Sequence, residues 1–408
     1  MTNKAEAVNT DSLQDPTTSS ATERHGPGLR AIGNNHRDAE EPWRELIPRG
    51  GIQSQTVAVM DIGLRTGLAS VIAATAGPTT LLRTSGRAQR QAVEFFAELA
   101  ESGDPASVFH PPPEVEVRAR RLGRRVWAPT VGHVDLLTFQ SPYEPACPSL
   151  AESFLSHSRN SIAHAQHWRH NDGPRPTIVV VHGFTGSPYW FNSTFFSLPW
   201  FYGHGCDVVL VTLPFHGARN DRIAPFSGSG LFTDGLGHFH EAMLQSVCDL
   251  RVVIDYLQAG GVENIGITGL SLGGYLTALM AAVGPRLHVA IPNSAVTDLA
   301  GLIDGWFPAG HLLKAGLHQG GISEEVFRAS MSLHSPLRYP SLLPTDRLFV
   351  IGGLGDRLAP PEQSARLIEH WGRPKAHWFQ GSHILHVGRA HYLREIGRFL
   401  KATGFSPG

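Results

Sequence analysis

A single serine lies where an apolar strand pattern gives way to an apolar helical pattern. The residues GLSLGG at 269–274 follow a β-branched run and precede a run of helix-forming residues. In the frame Gly269-x-Ser271-x-Gly273, the glycines leave room for a sharp turn, because a Cβ there would meet a neighbouring strand or helix. Such a turn lifts the hydroxyl above the sheet edge and points the N–H groups of the new helix at the attacked atom. The pattern predicts Ser271 as a nucleophile.

A carboxylate and an imidazole follow two later strand patterns. Asp356 lies in the turn GDRLAPP, and His383 lies in the segment QGSHILH. An imidazole can accept the serine proton and return it to a leaving group, and a carboxylate can orient that imidazole. The chain order Ser271, Asp356, His383 matches the order nucleophile, acid, base that accompanies a G-x-S-x-G turn in a parallel sheet. His386 remains an alternative base and Asp298 an alternative acid.

The segment HGFTGS at 182–187 directly follows the strand pattern 177–181. A glycine-containing turn in this position can present a backbone N–H towards the serine. We expect the N–H groups of Phe184 and Leu272 to form an oxyanion hole, in which each donor contributes about 3 kcal/mol to transition-state stabilisation.

Two aromatic segments are candidates for binding a substrate. Trp190 lies in the aromatic run after HGFTGS, and Trp306 lies in a long insertion between the strand patterns that end near 291 and begin near 347. Helical insertions of this kind often cover the site and select substrates. We therefore expect Trp190 and Trp306 to line an apolar acyl pocket.

Strand and helix patterns alternate over the second half of the chain. Continuous β-branched runs such as 177–181 are typical of strands covered on both faces, and the alternation predicts a doubly wound, mostly parallel α/β sheet. An edge strand is predicted earlier, at 115–120, and a second strand at 134–139. Residues 150–169 are interpreted as helix or loop, with His164 and His167 on a solvated helix face rather than in a metal site.

Composition limits the function classes. The chain has 408 residues, 41% of them hydrophobic and 17% charged, with a formal net charge of -1. This balance gives no reason to expect nucleic acid as a partner. No uncharged apolar run approaches the roughly 20 residues of an integral membrane segment. The 3 cysteines suggest a reducing, cytoplasmic compartment, and no cofactor or metal is implied.

Three regions are predicted. Residues 1–45 are polar and are expected to form a disordered tail. Residues 46–112 are expected to form a mainly helical N-terminal extension, whose role the pattern does not reveal. Residues 113–408 form the catalytic domain, with a helical lid insertion at about 295–345. Homo-oligomerisation through the extension stays open.

From about residue 115 to 400 the chain resembles an α/β-hydrolase of the serine esterase or lipase type. The resemblance rests on the motifs HGFTGS, LPFHGAR, GLSLGG, GDRLAPP and GSH. It implies an α/β-hydrolase fold, with Ser271 as nucleophile, Asp356 as acid, His383 as base, and Phe184 and Leu272 as oxyanion donors. The implied reaction is hydrolysis of a carboxylic ester through an acyl-serine. The predicted apolar pocket favours a small-molecule ester with an apolar or medium-chain acyl group over a sugar or a nucleotide.

Other functions use the same three side chains. Thioesterases, C–C bond hydrolases, amidases or peptidases, and acyltransferases are alternatives on this fold. A binding module on an inactive hydrolase scaffold is the alternative from a different class.

Overall fold

A computed structural model describes residues 41–83, 86–123, 128–186 and 188–406, without the side chains of 72, 73 and 75–83. The predicted tail therefore lies outside the described residues up to position 40. The last residues of the predicted tail belong to a short 3-10 helix, Pro42–Leu46.

The described residues form one nine-stranded sheet. Its order is β1-β2-β3-β5-β4-β6-β7-β8-β9. The first three strands run antiparallel to their neighbours, and the pairings from β5 to β9 are parallel. The predicted mostly parallel sheet is confirmed. The strands are β1 Arg118–Arg121, β2 His133–Gln140, β3 Ile162–Arg169, β4 Thr177–Val181, β5 Asp207–Thr212, β6 Ile265–Leu270, β7 Val289–Asn293, β8 Phe349–Gly353 and β9 Lys375–Phe379.

Helices cover both faces of the sheet. Along β4, Val179 and Val181 enter one hydrophobic core, whereas Ile178 and Val180 enter the other. A strand buried on both faces needs apolar residues at every position, which explains its continuous β-branched run. The helices are α1 Ile52–Arg83, α2 Gly86–Glu101, α3 Pro105–Val108, α4 Ala151–Leu155, α5 Tyr189–Phe195, α6 Leu198–Gly203, α7 Gly230–Thr233, α8 Leu236–Ala259, α9 Leu272–Val283, α10 Leu299–Asp304, α11 Ala309–Gln319, α12 Glu324–Ser332, α13 Pro361–His370 and α14 Arg389–Ala402.

The interpretation of residues 150–169 as helix or loop was wrong for their second half. Only α4 is helical there, and β3 pairs with β2 on one side and β5 on the other. His164 and His167 therefore project from opposite faces of a strand rather than along a solvated helix face. His167 is 3% exposed, and burial lowers its pKa to about 3.

The N-terminal helices pack on the sheet domain rather than extending from it. Helix α2 contacts α8 and α12, and α1 contacts α7 and α11. The spacing of apolar residues in α2 places Val93, Phe96 and Ala100 in the main core, as a helical period requires. No helix among the described residues is long and apolar enough to cross a membrane. The three free cysteines form no disulfide, and the cytoplasmic location inferred from them stays a prediction.

The turn between β6 and α9 requires glycine on both sides of the serine. A Cβ on Gly273 would lie 2.0 Å from the carbonyl oxygen of Val181, and one on Gly269 would lie 2.6 Å from the same atom. The strand β4 and the helix α9 thus approach each other at a distance that only glycine permits.

We expect Gly273→Ala to lower the free energy of unfolding by about 1–3 kcal/mol or more, because the added methyl group has to displace backbone. Gly67→Ala is the matched control, since a Cβ at this position of α1 meets nothing within 4 Å. Alanine in a helix interior is worth about 0.5–1 kcal/mol relative to glycine, so the control gains stability. Urea unfolding followed by circular dichroism measures both changes. Equal stability of the two variants would contradict the close approach.

Candidate active site

Ser271 is the residue between β6 and α9, and its backbone is strained. Its backbone has φ 59° and ψ -118°, a conformation that costs a non-glycine residue about 1–3 kcal/mol. Two hydrogen bonds hold it there: the Ser271 N–H donates to the Asn293 carbonyl at 3.1 Å, and the Tyr275 N–H donates to the Ser271 carbonyl at 2.8 Å. The hydroxyl consequently stands at the carboxyl end of the sheet, at the N-terminus of a helix.

The segment after β4 lies directly against this turn. A Cβ on Gly183 would sit 3.2 Å from the Leu270 carbonyl oxygen and 3.5 Å from the Ser271 Cβ. The next residue, Phe184, lines the same cavity as Ser271 and Leu272. Leu272 is the first residue of α9, so its N–H has no partner within the helix. Phe184 and Leu272 thus lie beside the serine, and their N–H groups stay the predicted donors of an oxyanion hole.

His182 has a structural part in this turn. Its Nδ1–H donates to the Gly183 carbonyl at 2.8 Å, and its Nε2 accepts from the Leu213 N–H at 3.1 Å. Burial lowers the pKa of His182 to about 4, so the ring stays neutral and can make both bonds. It fixes the segment after β4 to the end of β5.

Asp356 and His383 meet above the same sheet edge, although they come from the loops after β8 and β9. The distance from His383 Nδ1 to Asp356 Oδ2 is 2.7 Å. The other oxygen, Asp356 Oδ1, accepts from the N–H groups of Leu358 and Ala359. Because a carboxylate can only accept, the His383 proton lies on Nδ1. The ring therefore keeps Nε2 free to accept a proton.

The charge around His383 favours its protonated form. Burial lowers the pKa of His383, but the charge and hydrogen bond of Asp356, together with the charge of Asp61, outweigh burial and raise it above 6.5. A raised pKa suits a residue that must hold a proton during a reaction and release it afterwards.

Neither alternative residue reaches this arrangement. His386 Nδ1 lies 2.8 Å from the Tyr392 hydroxyl and its Nε2 lies 3.1 Å from the His383 carbonyl, so both ring nitrogens are engaged. Burial lowers the pKa of His386 to about 4. Asp298 caps α10 by accepting from the Gly301 N–H and pairs with Arg366.

Asp61 of helix α1 is a residue that sequence reasoning missed. Its Oδ2 accepts from the backbone N–H of His383 at 2.7 Å and from that of Arg357 at 3.1 Å. The side chain is 2% exposed. No local pattern could have revealed it, since a lone aspartate in a helix is ordinarily a surface residue.

Ser271 and His383 open into one cavity of about 780 Å³. Its walls are mainly apolar and come from α5, α7, the lid helices α10 and α11, and the N-terminal helix α1. They include Leu64, Leu68, Phe191, Phe195, Leu231, Phe232, Leu299, Leu302, Ile303, Trp306, Leu312 and Leu313. Trp306 lines the cavity, and its part in binding a substrate stays a prediction.

The prediction for Trp190 was wrong. Trp190 is 58% exposed, whereas Phe191 and Phe195, on the same helix α5, line the cavity. The rotation of the helix decides which aromatic side chain faces inward, and that rotation depends on packing rather than on the aromatic run itself.

Metal ligands do not cluster in the described part of the chain: no group of three or more His, Cys, Asp or Glu residues there could hold an ion.

Comparisons with known proteins agree with this architecture. A model of the prolyl oligopeptidase family matches residues 244–379. The uncharacterized protein Rv2627c of Mycobacterium tuberculosis is 30% identical over 318 residues, which cover 76% of this chain and 72% of that protein.

Two solved structures share the fold at 15% identity. The acetyl xylan esterase from Paenibacillus sp. R4 has a TM-score of 0.53, with 76% of this chain and 94% of that chain covered. Acetyl xylan esterase 1 from Thermoanaerobacterium sp. JW/SL YS485 has a TM-score of 0.51, with 76% and 93% covered. At this identity the likeness concerns the fold alone. The two likenesses show that the chain has the α/β-hydrolase fold, and the chain belongs to the same family as the M. tuberculosis protein.

Proposed function

We propose that this protein is a serine hydrolase that cleaves carboxylic esters with an apolar or medium-chain acyl group. The observation that carries the proposal is that the strained Ser271 and the Asp356-bound His383 open into the same large apolar cavity. Site chemistry of this kind acts on acyl groups, and an apolar wall favours an apolar acyl chain over a sugar or nucleotide.

The proposed reaction has two halves. Ser271 Oγ attacks the ester carbonyl while His383 Nε2 takes the hydroxyl proton, and the N–H groups of Phe184 and Leu272 hold the oxyanion. When the intermediate collapses, the C–O bond to the alcohol breaks and His383 returns the proton to the leaving oxygen. Water then attacks the acyl-serine by the same route and releases the acid.

Amide or peptide hydrolysis is the second candidate. It is supported by the match of residues 244–379 to the prolyl oligopeptidase family. The same three side chains could cleave an amide, with His383 protonating a leaving amine instead of an alcohol. Thioester and C–C bond cleavage and transfer of the acyl group to an alcohol remain further alternatives.

A substrate panel tests the proposal. We expect a fluorophosphonate probe to label Ser271 and kcat/KM to rise with acyl length across p-nitrophenyl acetate, butyrate, hexanoate and octanoate. The rise can reach about fourfold per methylene, because a buried CH₂ contributes about 0.8 kcal/mol. Acyl-CoA thioesters and peptide amides in the same panel separate the alternatives.

Two tryptophans provide a matched pair for this panel. Trp306→Ala removes a wall of the cavity, so we expect it to flatten the dependence on acyl length. Trp190→Ala removes an exposed side chain and should leave the dependence unchanged. Equal or higher activity on short polar esters, or faster cleavage of peptide amides, would reject the apolar-ester proposal. Failure of the probe to label Ser271 would instead favour a binding module.

A further inference from the structure

We propose that Asp61, on the N-terminal helix α1, is a positioning residue of the active site, which holds the loops of His383 and Asp356 in register. This inference rests on the proposed function, because the geometry that it maintains matters only if those two residues act on Ser271. It also assigns a role to the N-terminal extension.

One oxygen atom of Asp61 joins the two loops. Asp61 Oδ2 accepts from the N–H of His383 in the loop after β9 and from the N–H of Arg357 in the loop after β8. Arg357 is the residue next to Asp356. The backbone on which each member of the acid–base pair stands is therefore tied to the same carboxylate.

The start of α1 packs tightly on these loops. A Cβ on Gly355 would lie 2.6 Å from the Ser54 carbonyl oxygen and 2.8 Å from a methyl carbon of Val57. The Gly51 N–H donates to Gln380 Oε1 at 3.0 Å. The helix is thus held at the two loops by several contacts, and the buried Asp61 lies among them.

The same helix also borders the substrate cavity. Leu64 and Leu68 follow Asp61 by three and seven residues, the spacing of one helix face, and both line the cavity. An element outside the sheet therefore both fixes the reacting residues and forms part of the wall.

Asp61 contributes charge as well as hydrogen bonds. The ionisable groups that face His383 are Asp356 and Asp61, with His386 beside them, neutral because burial lowers its pKa. Asparagine at position 61 retains an oxygen acceptor for the two N–H groups but removes the negative charge. Alanine removes both, so the two substitutions separate positioning from electrostatics.

We expect Asp61→Ala to lower kcat roughly 10- to 100-fold with little change in KM, because small displacements of reacting groups have effects of that size. Asp61→Asn should retain most of kcat but move the acid limb of the kcat/KM profile to lower pH, since the charge that favours protonated His383 is gone. Thr66→Ala, at an exposed position of α1 whose hydroxyl bonds only its own helix, is the control and should match the wild type. Circular dichroism reports whether each variant folds.

Titration of the His383 ring by NMR in the full-length wild type and in Asp61→Asn gives a readout that does not need a substrate. A folded Asp61→Ala with unchanged kcat/KM overturns the proposal. If Asp61→Ala does not fold, an Asp61→Asn variant with unchanged acid limb, kcat and His383 titration overturns it. The wild type could also cleave no ester and react with no fluorophosphonate, while the His383 titration still shifts in Asp61→Asn. That result would reject the proposed function but support the positioning role of Asp61.

Discussion

Replacing Ser271 with alanine should abolish ester hydrolysis, with a loss in kcat of roughly 10⁶-fold, because no acyl-enzyme can form without the hydroxyl. The backbone of the turn is fixed by the Asn293 and Tyr275 hydrogen bonds, neither of which involves the side chain. We therefore expect the free energy of unfolding to stay close to that of the wild type. Steady-state kinetics on p-nitrophenyl octanoate and urea unfolding measure the two quantities.

Ser294 offers a matched control for this experiment. It too is a serine with positive φ, 41°, and it is fully buried at the end of β7. It is not among the residues that line the cavity. Ser294→Ala should retain activity and fluorophosphonate labelling. Turnover in Ser271→Ala equal to that of the wild type would remove the proposed mechanism altogether.

The second large effect distinguishes His383 from His386. We expect His383→Gln to lower kcat roughly 10⁴-fold or more, since the base that accepts the serine proton is lost. His386→Gln should lower kcat only a few-fold, because glutamine can replace both the hydrogen bond to Tyr392 and the hydrogen bond to the His383 carbonyl.

The pH profile of the wild type gives an independent answer. A base acts only when it is unprotonated, so activity rises as pH increases through its pKa. If His383 is the base, its raised pKa places the acid limb of kcat/KM above pH 6.5. If His386 were the base, its pKa of about 4 would leave the profile flat down to about pH 5. A flat profile together with an active His383→Gln would contradict our assignment.

Much of the fold was predictable because its signals are local. The run Thr177–Val181 indicates a doubly covered strand, and GLSLGG indicates a strand-to-helix turn, since each depends on the preferences of adjacent residues. Ile162–Arg169 was not recognised as a strand. Its alanines and histidines have weak strand preference, and it is a strand because it hydrogen-bonds to β2 and β5 on its two sides.

The site shows the same division. The chain order of Ser271, Asp356 and His383 could be predicted from motifs at the ends of strands. The sequence could not show that Phe191 and Phe195, rather than Trp190, face the cavity. That choice depends on how α5 rotates against its neighbours. Asp61 was even less accessible to sequence reasoning, because its partner His383 lies 322 positions away.

By itself, the sequence determined the parallel sheet, the sharp serine turn and the candidate reacting residues. These follow from the backbone preferences of short segments and from the room that glycine leaves. Only the tertiary structure decided which histidine meets the carboxylate, which aromatic residues face the cavity, and that an N-terminal helix contacts the loops of Asp356 and His383. Those outcomes depend on packing and hydrogen bonding between segments far apart in the chain, which no local pattern encodes.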